Sequence, residues 1–216
     1  EARPGSRAHV TTQSATKVHS MTASYAHLDA TLVAESGAYL EYLPGPTIVN
    51  EDARCLQTTA VSMAADATVV VGDVFVPDGL SDHEPFGFDH YHSRLEARVD
   101  GSLVCADAVD LRPAERDPRN PATVGEYDVV GTLYVFAPSE PAVAELADRL
   151  HNRVAGDREA ADTVVAGASV LRDGAGVAVR VLGDRSADVT ATVEAAWDET
   201  RAALLGVGAP SGRFGR

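Results

Sequence analysis

The sequence predicts a mostly β fold with two helices in its C-terminal half, and three observations lead to this prediction. Apolar and β-branched residues recur with a period of two over most of the first 136 residues. Two Asp-Gly pairs stand between such runs and are typical of tight hairpin turns. Two later segments show instead the three- and four-residue spacing of amphipathic helices.

Turn-rich pieces separate the strand-like runs and so indicate their approximate limits. The runs lie at about 25–33, 38–43, 56–63, 67–76, 91–99, 103–111 and 127–136. Asp100-Gly101 and Asp173-Gly174 each predict a hairpin between the runs that flank them. The polar connection from Pro113 to Thr123, which contains several prolines, is predicted to be an exposed loop.

Capping residues and apolar stripes define the two predicted helices, at about 139–155 and 186–205. In the first helix Ser139 is a candidate N-cap, Pro141 is tolerated in the first turn, and Gly156 ends the helix. Gly206 ends the second helix. The stripe residues are Val143, Leu146, Ala147, Leu150 and Val154 in the first helix, and Val189, Val193, Ala196, Trp197 and Leu204 in the second. Both stripes are interpreted as core-packing faces, so Trp197 is expected to be buried.

Length and charge limit the classes of function. A chain of 216 residues is long enough to bury a core and suits a single domain. It carries 18 Lys and Arg against 32 Asp and Glu, a formal net charge of −14, and Lys17 is its one lysine. A negative field of this size repels phosphate backbones and anionic lipid, so neither nucleic acid nor a membrane is expected as a partner.

The two cysteines and the ends of the chain bear on its location. Cys55 and Cys105 lie far apart and outside any zinc-finger spacing, which predicts reduced structural thiols. No run approaches the roughly 18 apolar residues of a membrane span, and no signal sequence opens the chain, so we expect a cytoplasmic location. The chain starts at Glu1 within strand-forming sequence, from which we expect that upstream sequence is missing.

The sequence signatures of common enzyme classes are absent, since there is no Gly-rich phosphate loop, no GxSxG and no HExxH. The segment 82–96 is nevertheless dense in metal-binding side chains, which are His83, Glu84, Asp89, His90, His92 and Glu96. In a strand, His90, His92 and Glu96 share one face. Imidazole and carboxylate on one face can bind a divalent first-row ion such as nickel or zinc.

Three interpretations of this segment remain open from the residues alone. Its side chains can be solvated on an exposed strand, or they can contact a metal ion transiently. The spacing of His90, His92 and Glu96 also matches the first metal motif of cupins, which makes a small cupin-like metal-dependent enzyme the alternative function. A cupin needs a further histidine from a later strand, and the only later one, His151, lies in a predicted helix.

Several short blocks follow one another in fixed order along nearly the whole chain. They read TTQSATKV at 11–18, LEYLP at 40–44, GEYDVVGTLYVF at 125–136 and GVAVRVLG at 176–183, followed by Trp197, Arg201 and an AP-x-x-R tail at 209–213. In order and spacing these blocks resemble the UreD family of urease accessory proteins, called UreH in some bacteria. A family block of Gly-Arg and then Gly-Glu-x-Phe is matched by Gly79, Glu84 and Phe86, but not by Leu80 and His83.

The resemblance implies stacked β-sheets in a helicoid-like body with two helices, as one UreD-like domain over residues 1–216 that lacks the family's N-terminal strands. It implies a nickel-insertion chaperone that is not an enzyme and has no tightly bound cofactor. The implied partners are UreF, the GTPase UreG and apo-urease. A polar tunnel through the UreD body is implied to guide nickel towards the urease active site.

On this interpretation Glu41, Glu84 and Asp107 are the candidate ion-guiding carboxylates. Glu41 belongs to the LEYLP block, Glu84 is retained where its surroundings have drifted, and Asp107 is a charge within an apolar strand. With His83, His90 and His92 they are predicted to contact nickel transiently, because a tight protein cage traps an ion instead of passing it on.

Overall fold

The computed structural model describes residues 1–77, 84–155 and 164–210. These ranges contain twelve β-strands and two α-helices, so the fold is mostly β, as predicted. The strands are β1 (Arg7–Val10), β2 (Thr16–Val18), β3 (Ala26–Ala34), β4 (Tyr39–Tyr42), β5 (Thr47–Val49), β6 (Arg54–Met63), β7 (Thr68–Pro77), β8 (His90–Val99), β9 (Ser102–Leu111), β10 (Val129–Phe136), β11 (Val164–Val170) and β12 (Gly176–Gly183). The helices are α1 (Val143–Ala155) and α2 (Ser186–Leu205).

The strands form two sheets between which the chain passes back and forth. The larger sheet has the order β1-β4-β7-β10-β12-β11, with β5 paired to β7 and β2 paired to β5; the smaller has the order β3-β6-β8-β9. Neighbours β3, β6 and β8 run parallel in one sheet, and β1, β4 and β7 run parallel in the other. Ala26 of β3 pairs with Cys55 of β6, 29 positions later, and Arg54 of β6 pairs with His90 of β8, 36 positions later, so one turn of the coiled chain takes about 29 to 36 residues. The predicted stacked, helicoid-like body is confirmed.

Both helices cover one face of the larger sheet. The predicted stripe residues Leu146, Leu150, Val189 and Trp197 are buried there, and Trp197 is only 2% exposed, as expected. Gly131 on β10 makes this close approach possible, because a Cβ at that position would stand 2.7 Å from the side chains of both Val189 and Val193.

Two apolar clusters fill much of the space between the sheets. One contains Leu95, Tyr134 and Phe136, and the other contains Phe75 and Tyr91. The rings of Phe75 and Tyr91 stack with centroids 4.3 Å apart. These clusters hold the two sheets at a fixed separation around the cavity described below.

The predicted turns are confirmed, whereas the predicted N-cap is wrong. Asp100 and Gly101 have φ of 47° and 82°, and Asp173 and Gly174 have φ of 54° and 69°, which is the left-handed conformation of tight hairpins. Residues 112–128 contain no helix or strand, as expected for the exposed loop. Helix α1 begins only at Val143, four residues after Ser139, and the Ser139 hydroxyl donates to the carbonyl of Ala65.

The helix ends and the cysteines can also be compared with their predictions. Gly206 ends α2 with φ of 69°, as predicted, while Gly156 lies outside the described residues. Cys55 and Cys105 are both free thiols, as predicted. Among the helices that the structure describes, none is long and apolar enough to cross a membrane.

Candidate functional site

A cavity of about 690 Å³ lies between the two sheets. Strands of both sheets line it, and hydroxyl and amide side chains such as Thr47, Gln57 and Thr132 face it beside apolar ones. In the described part of the chain the charged side chains of Asp73, Asp107 and Arg180 also reach into it. The excess of carboxylates gives the cavity a negative potential that attracts cations.

Asp73 is the carboxylate most completely enclosed in this cavity. It interrupts the valine-rich strand β7, and alternation along that strand turns its side chain towards the smaller sheet. Its Oδ2 accepts a hydrogen bond from Gln57 Nε2 at 3.0 Å, and Thr47 Oγ1 lies 3.4 Å from Gln57 Oε1. Its Oδ1 is buried and has no hydrogen-bond partner among the described residues.

Burial has the largest effect on the pKa of the Asp73 carboxyl. Loss of solvation raises the pKa of its carboxyl to about 6, although the amides of Gln57 and Val74 and the charge of Arg180 partly oppose this rise. At neutral pH the group is therefore mostly ionised. A buried charge with an unpartnered oxygen is unfavourable unless a cation or a bound water satisfies it.

Arg180 and Asp107 connect the two sheets across the same cavity. Thr132 on β10 pairs with Asp73 on one side and with Arg180 on the other, so the three side chains form one row on the larger sheet. Arg180 donates across the cavity to Asp107 of the smaller sheet. It also donates to the hydroxyl of Tyr134 at 2.7 Å, and its guanidinium lies 5.5 Å from the centre of that ring.

These contacts determine the charge of Asp107. Burial alone raises the pKa of its carboxyl, but the hydrogen bonds from Tyr134 and Arg180 outweigh burial and hold the pKa below its usual range. Asp107 is thus an ionised group on the cavity wall whose charge is balanced by Arg180. Its predicted ion-guiding role stays a prediction.

Glu41 lies at the centre of a buried network outside the lining of the cavity. It is 1% exposed, and the guanidinium NH1 of Arg201 lies 2.8 and 2.7 Å from its two oxygens. Trp197 Nε1 donates to it at 2.9 Å, and His9 Nδ1 lies 3.1 Å from Oε2. The His9 and Trp197 rings stack with centroids 5.1 Å apart. Glu41 therefore fastens α2 to β1 and β4, and its ion-guiding role also stays a prediction.

The remaining candidates are spread over the segment that precedes β8 and over β8 itself. His83 lies outside the described residues, and Glu84 is exposed and is not on the cavity wall. His90 Nε2 and His92 Nδ1 both approach Asp110 Oδ2, at 3.2 and 3.1 Å.

Glu96, the third member of the cupin-like pattern, does not join the two histidines. Its carboxylate pairs with Arg94 and Arg98 on the same strand. No three His, Cys, Asp or Glu side chains in the described ranges stand ready around a common point as a closed metal site. The ligand set that the cupin-like alternative requires is therefore not formed.

Sequence reasoning missed Asp73, the residue on which this site depends. The available signal was the one that drew attention to Asp107, namely a single charge within an apolar strand.

The groups that line the cavity determine which ligands it can hold. A polar cavity with ionised carboxylates can hold a hydrated divalent cation weakly, since oxygen ligands keep such an ion without stripping its water.

The sequence of this chain matches a known protein family and several of its members. A family model described as "UreD urease accessory protein" matches residues 1–216. The chain is 68% identical over 211 residues to the urease accessory protein UreD of Haloquadratum walsbyi, covering 98% of this chain and 67% of the relative. It is 68% identical over 212 residues to UreD of Natronomonas pharaonis, covering 98% and 69% of the two chains. Over 207 residues it is 48% identical to UreD of Haloarcula marismortui, with 95% and 67% covered.

Proposed function

The chain belongs to the UreD family of urease accessory proteins, and from this premise we propose that it is a scaffold that passes nickel to apo-urease through the cavity between its sheets. It is an accessory protein and not an enzyme. The cupin-like alternative is therefore discarded, in agreement with the separation of Glu96 from the two histidines.

The observation that carries the proposal is the ionised carboxylate of Asp73 in the wall of the polar cavity between the sheets. An ion in transit needs contacts that are favourable enough for entry and weak enough for release. An ionised carboxylate in a cavity that also presents hydroxyl and amide groups supports both requirements. Nickel enters here as cargo, so no tightly bound cofactor forms part of the proposal.

The same proposal includes UreF and UreG as partners that bring nickel to the scaffold, and the cytoplasm as the place of assembly. The resemblance implies both partners, and the family name places the chain in urease maturation. The net charge of −14 supports a role with cations or proteins and opposes one with nucleic acid.

Complementation of a deletion tests this function. Deleting the gene in a urease-producing cell should leave urease protein present but low in nickel and inactive, and the wild-type gene should restore both. Asp73→Asn removes the charge but keeps the shape and the hydrogen bond to Gln57. We expect this variant to fold and to restore urease nickel content poorly, as measured by metal analysis of purified urease.

Asp148→Asn is the matched control, because it makes the same change at an exposed position of α1 that is not on the cavity wall. The control should restore nickel content fully. Normal nickel occupancy of urease in the deletion strain would overturn the accessory role itself. Full restoration by Asp73→Asn would instead remove this carboxylate from the path.

A further inference from the structure

Polar side chains form one row on each of the two sheets that enclose the cavity. On the larger sheet Asp73, Thr132 and Arg180 are cross-strand neighbours. On the smaller sheet Gln57 pairs with Ser93, and all five residues line the cavity. Gln57 Nε2 donates to Asp73 Oδ2 at 3.0 Å, so the two rows face each other. Together these five residues form a polar belt across the cavity.

Apolar side chains border the polar belt on both sides. Side chains on one face of a strand recur at every second residue, about 7 Å apart, so the next rows stand two residues from the belt. On one side the rings of Phe75 and Tyr91 stack and fill the space between the sheets. On the other side Val71 of the larger sheet and Leu95 of the smaller sheet line the cavity. The cavity is therefore polar in the middle and apolar on either side.

The cavity has the size and the access that a small organic ligand requires. Its volume of about 690 Å³ lies within the range of about 300 to 1,000 Å³ that is usual for small-molecule sites. Such sites are mainly apolar and contain a few polar groups that orient the ligand. The side chains of Arg180 and Asp107 on the cavity wall are 44% and 30% exposed, so solvent reaches the cavity.

The charge that an entering ligand meets at the polar belt is negative. Arg180 already pairs with Asp107, whereas the side chain that hydrogen-bonds to Asp73 is the neutral amide of Gln57. A metal ion can use the carboxylate of Asp73 but gains nothing from the apolar rows. An organic cation uses both, because its charge meets the carboxylate while its apolar part leaves water.

We propose that the cavity binds a small organic cation, which carries a primary ammonium group on a short aromatic or aliphatic body. The three N–H donors of the ammonium group suit the carboxylate of Asp73 and the side-chain oxygens of Gln57 and Thr132. The body packs against Val71 and Leu95, because the stacked rings fill the other side of the belt. This binding is independent of the proposed nickel passage, although an amine held at Asp73 would also block that passage.

Calorimetric titration of the purified protein with 2-phenylethylamine and with 2-phenylethanol tests the site. The two probes differ only in the ammonium and hydroxyl groups, and at about pH 7.5 both the amine and Asp73 are charged. The amine should bind about tenfold or more tightly than the alcohol, because a hydrogen bond between charged groups is stronger than a neutral one. Asp73→Asn should lower the affinity for the amine to that for the alcohol and leave the alcohol unaffected. The control Asp148→Asn, at an exposed position off the cavity wall, should bind both probes as the wild type does.

Three results would each overturn the proposal. They are no binding of the amine by the wild type at concentrations up to about 10 mM, equal affinity of the wild type for amine and alcohol, and undiminished amine binding by Asp73→Asn. The comparison of the two probes on the wild type needs no variant, so it decides the matter even when a variant fails to fold. The titration contains neither nickel nor urease. Failure of amine binding therefore leaves the proposed nickel passage standing, and failure of that passage leaves the amine site standing.

Discussion

Asp73 is a residue that the fold keeps charged at the expense of stability. Its carboxyl is enclosed between two sheets, one oxygen has no partner in the described chain, and its pKa is raised to about 6. Residues that weaken a fold in this way are concentrated at functional sites, where the strained group is needed for binding or catalysis. A cation passing through the cavity, as proposed above, would offset this cost because it would satisfy the carboxylate.

The raised pKa of Asp73 predicts how the free energy of unfolding depends on pH. The pKa of Asp73 rises from an ordinary 3.8 to about 6 on folding. Between about pH 4 and pH 6 the folded protein keeps a proton that the unfolded chain has lost, so the unfolding free energy contributed by this group falls as the pH rises. The loss amounts to about 1 to 3 kcal/mol above pH 6.

Asp73→Asn should abolish that loss and be more stable than the wild type at pH 7 to 8, with little difference near pH 4. Urea denaturation of both proteins across this range measures it. Asp148→Asn serves again as the control and should follow the wild type at every pH. A variant less stable than the wild type at pH 8 would show that the carboxylate is satisfied in the folded protein.

We expect Glu41 to act mainly by stabilising the fold. Glu41→Gln leaves the largely buried guanidinium of Arg201 without its counter-charge, and breaking a buried pair from one side costs about 3 kcal/mol or more. Urea denaturation followed by Trp197 fluorescence measures the change, because that indole donates to the same carboxylate. Glu115→Gln, at a position 70% exposed, should change stability by less than about 0.5 kcal/mol.

The opposite outcome is a Glu41→Gln variant that is as stable as the wild type but delivers less nickel to urease. That result would support the ion-guiding role predicted from the sequence. The sequence singled out Glu41 and Asp107 as unusual charges. It could not show that Arg201 and Arg180 neutralise them while Asp73 keeps an unpartnered oxygen, because those partners lie far away along the chain.

Elements with strong local signals were predictable, and elements that depend on distant partners were not. The long strands followed from their period, and the Asp-Gly turns from their preference for positive φ. The short strands β1, β2 and β5 escaped notice because three or four residues carry no measurable period and each pairs in parallel with a distant segment. The start of α1 was predicted too early, since the helix begins four residues after Ser139, whose hydroxyl donates to a carbonyl 74 positions away.

The packing of α2 on β10 depends on one glycine. Gly131→Ala would place a methyl group 2.7 Å from the side chains of Val189 and Val193, so the helix must shift or its side chains must leave their rotamers. Such overpacking costs about 1 to 3 kcal/mol. Thermal denaturation should show a lower melting temperature for Gly131→Ala, and Val193→Ala in the same chain should recover part of the loss.

Gly167→Ala on β11 is the control for that experiment. A Cβ there meets only the ring of His151, at 3.7 Å and beyond, which is ordinary contact. Gly167→Ala should therefore leave the melting temperature close to that of the wild type. An equal loss in both variants would mean that general strand effects of alanine, and not the approach of α2, account for the change.

At the scale of the whole molecule, periodicity predicts strands but not which strands meet. A period of two shows which side chains share a face. It does not show that β3 pairs with β6 or that β7 joins β10. The helicoid-like arrangement was expected from the resemblance alone, and with it the cavity. The side chains that give this cavity its charge come from strands spread from β7 to β12.

The coiled path of the chain also sets the time that folding takes. Apart from the hairpins β8–β9 and β11–β12, many strand pairings of the described chain join segments about 30 residues apart, as Ala26 and Cys55 do. Folds dominated by such distant pairings form in milliseconds to seconds, far more slowly than helical bundles. Newly made chains therefore expose unpaired strand edges until both sheets are complete, and chains in this state aggregate readily. A binding partner present during synthesis should consequently raise the yield of folded protein.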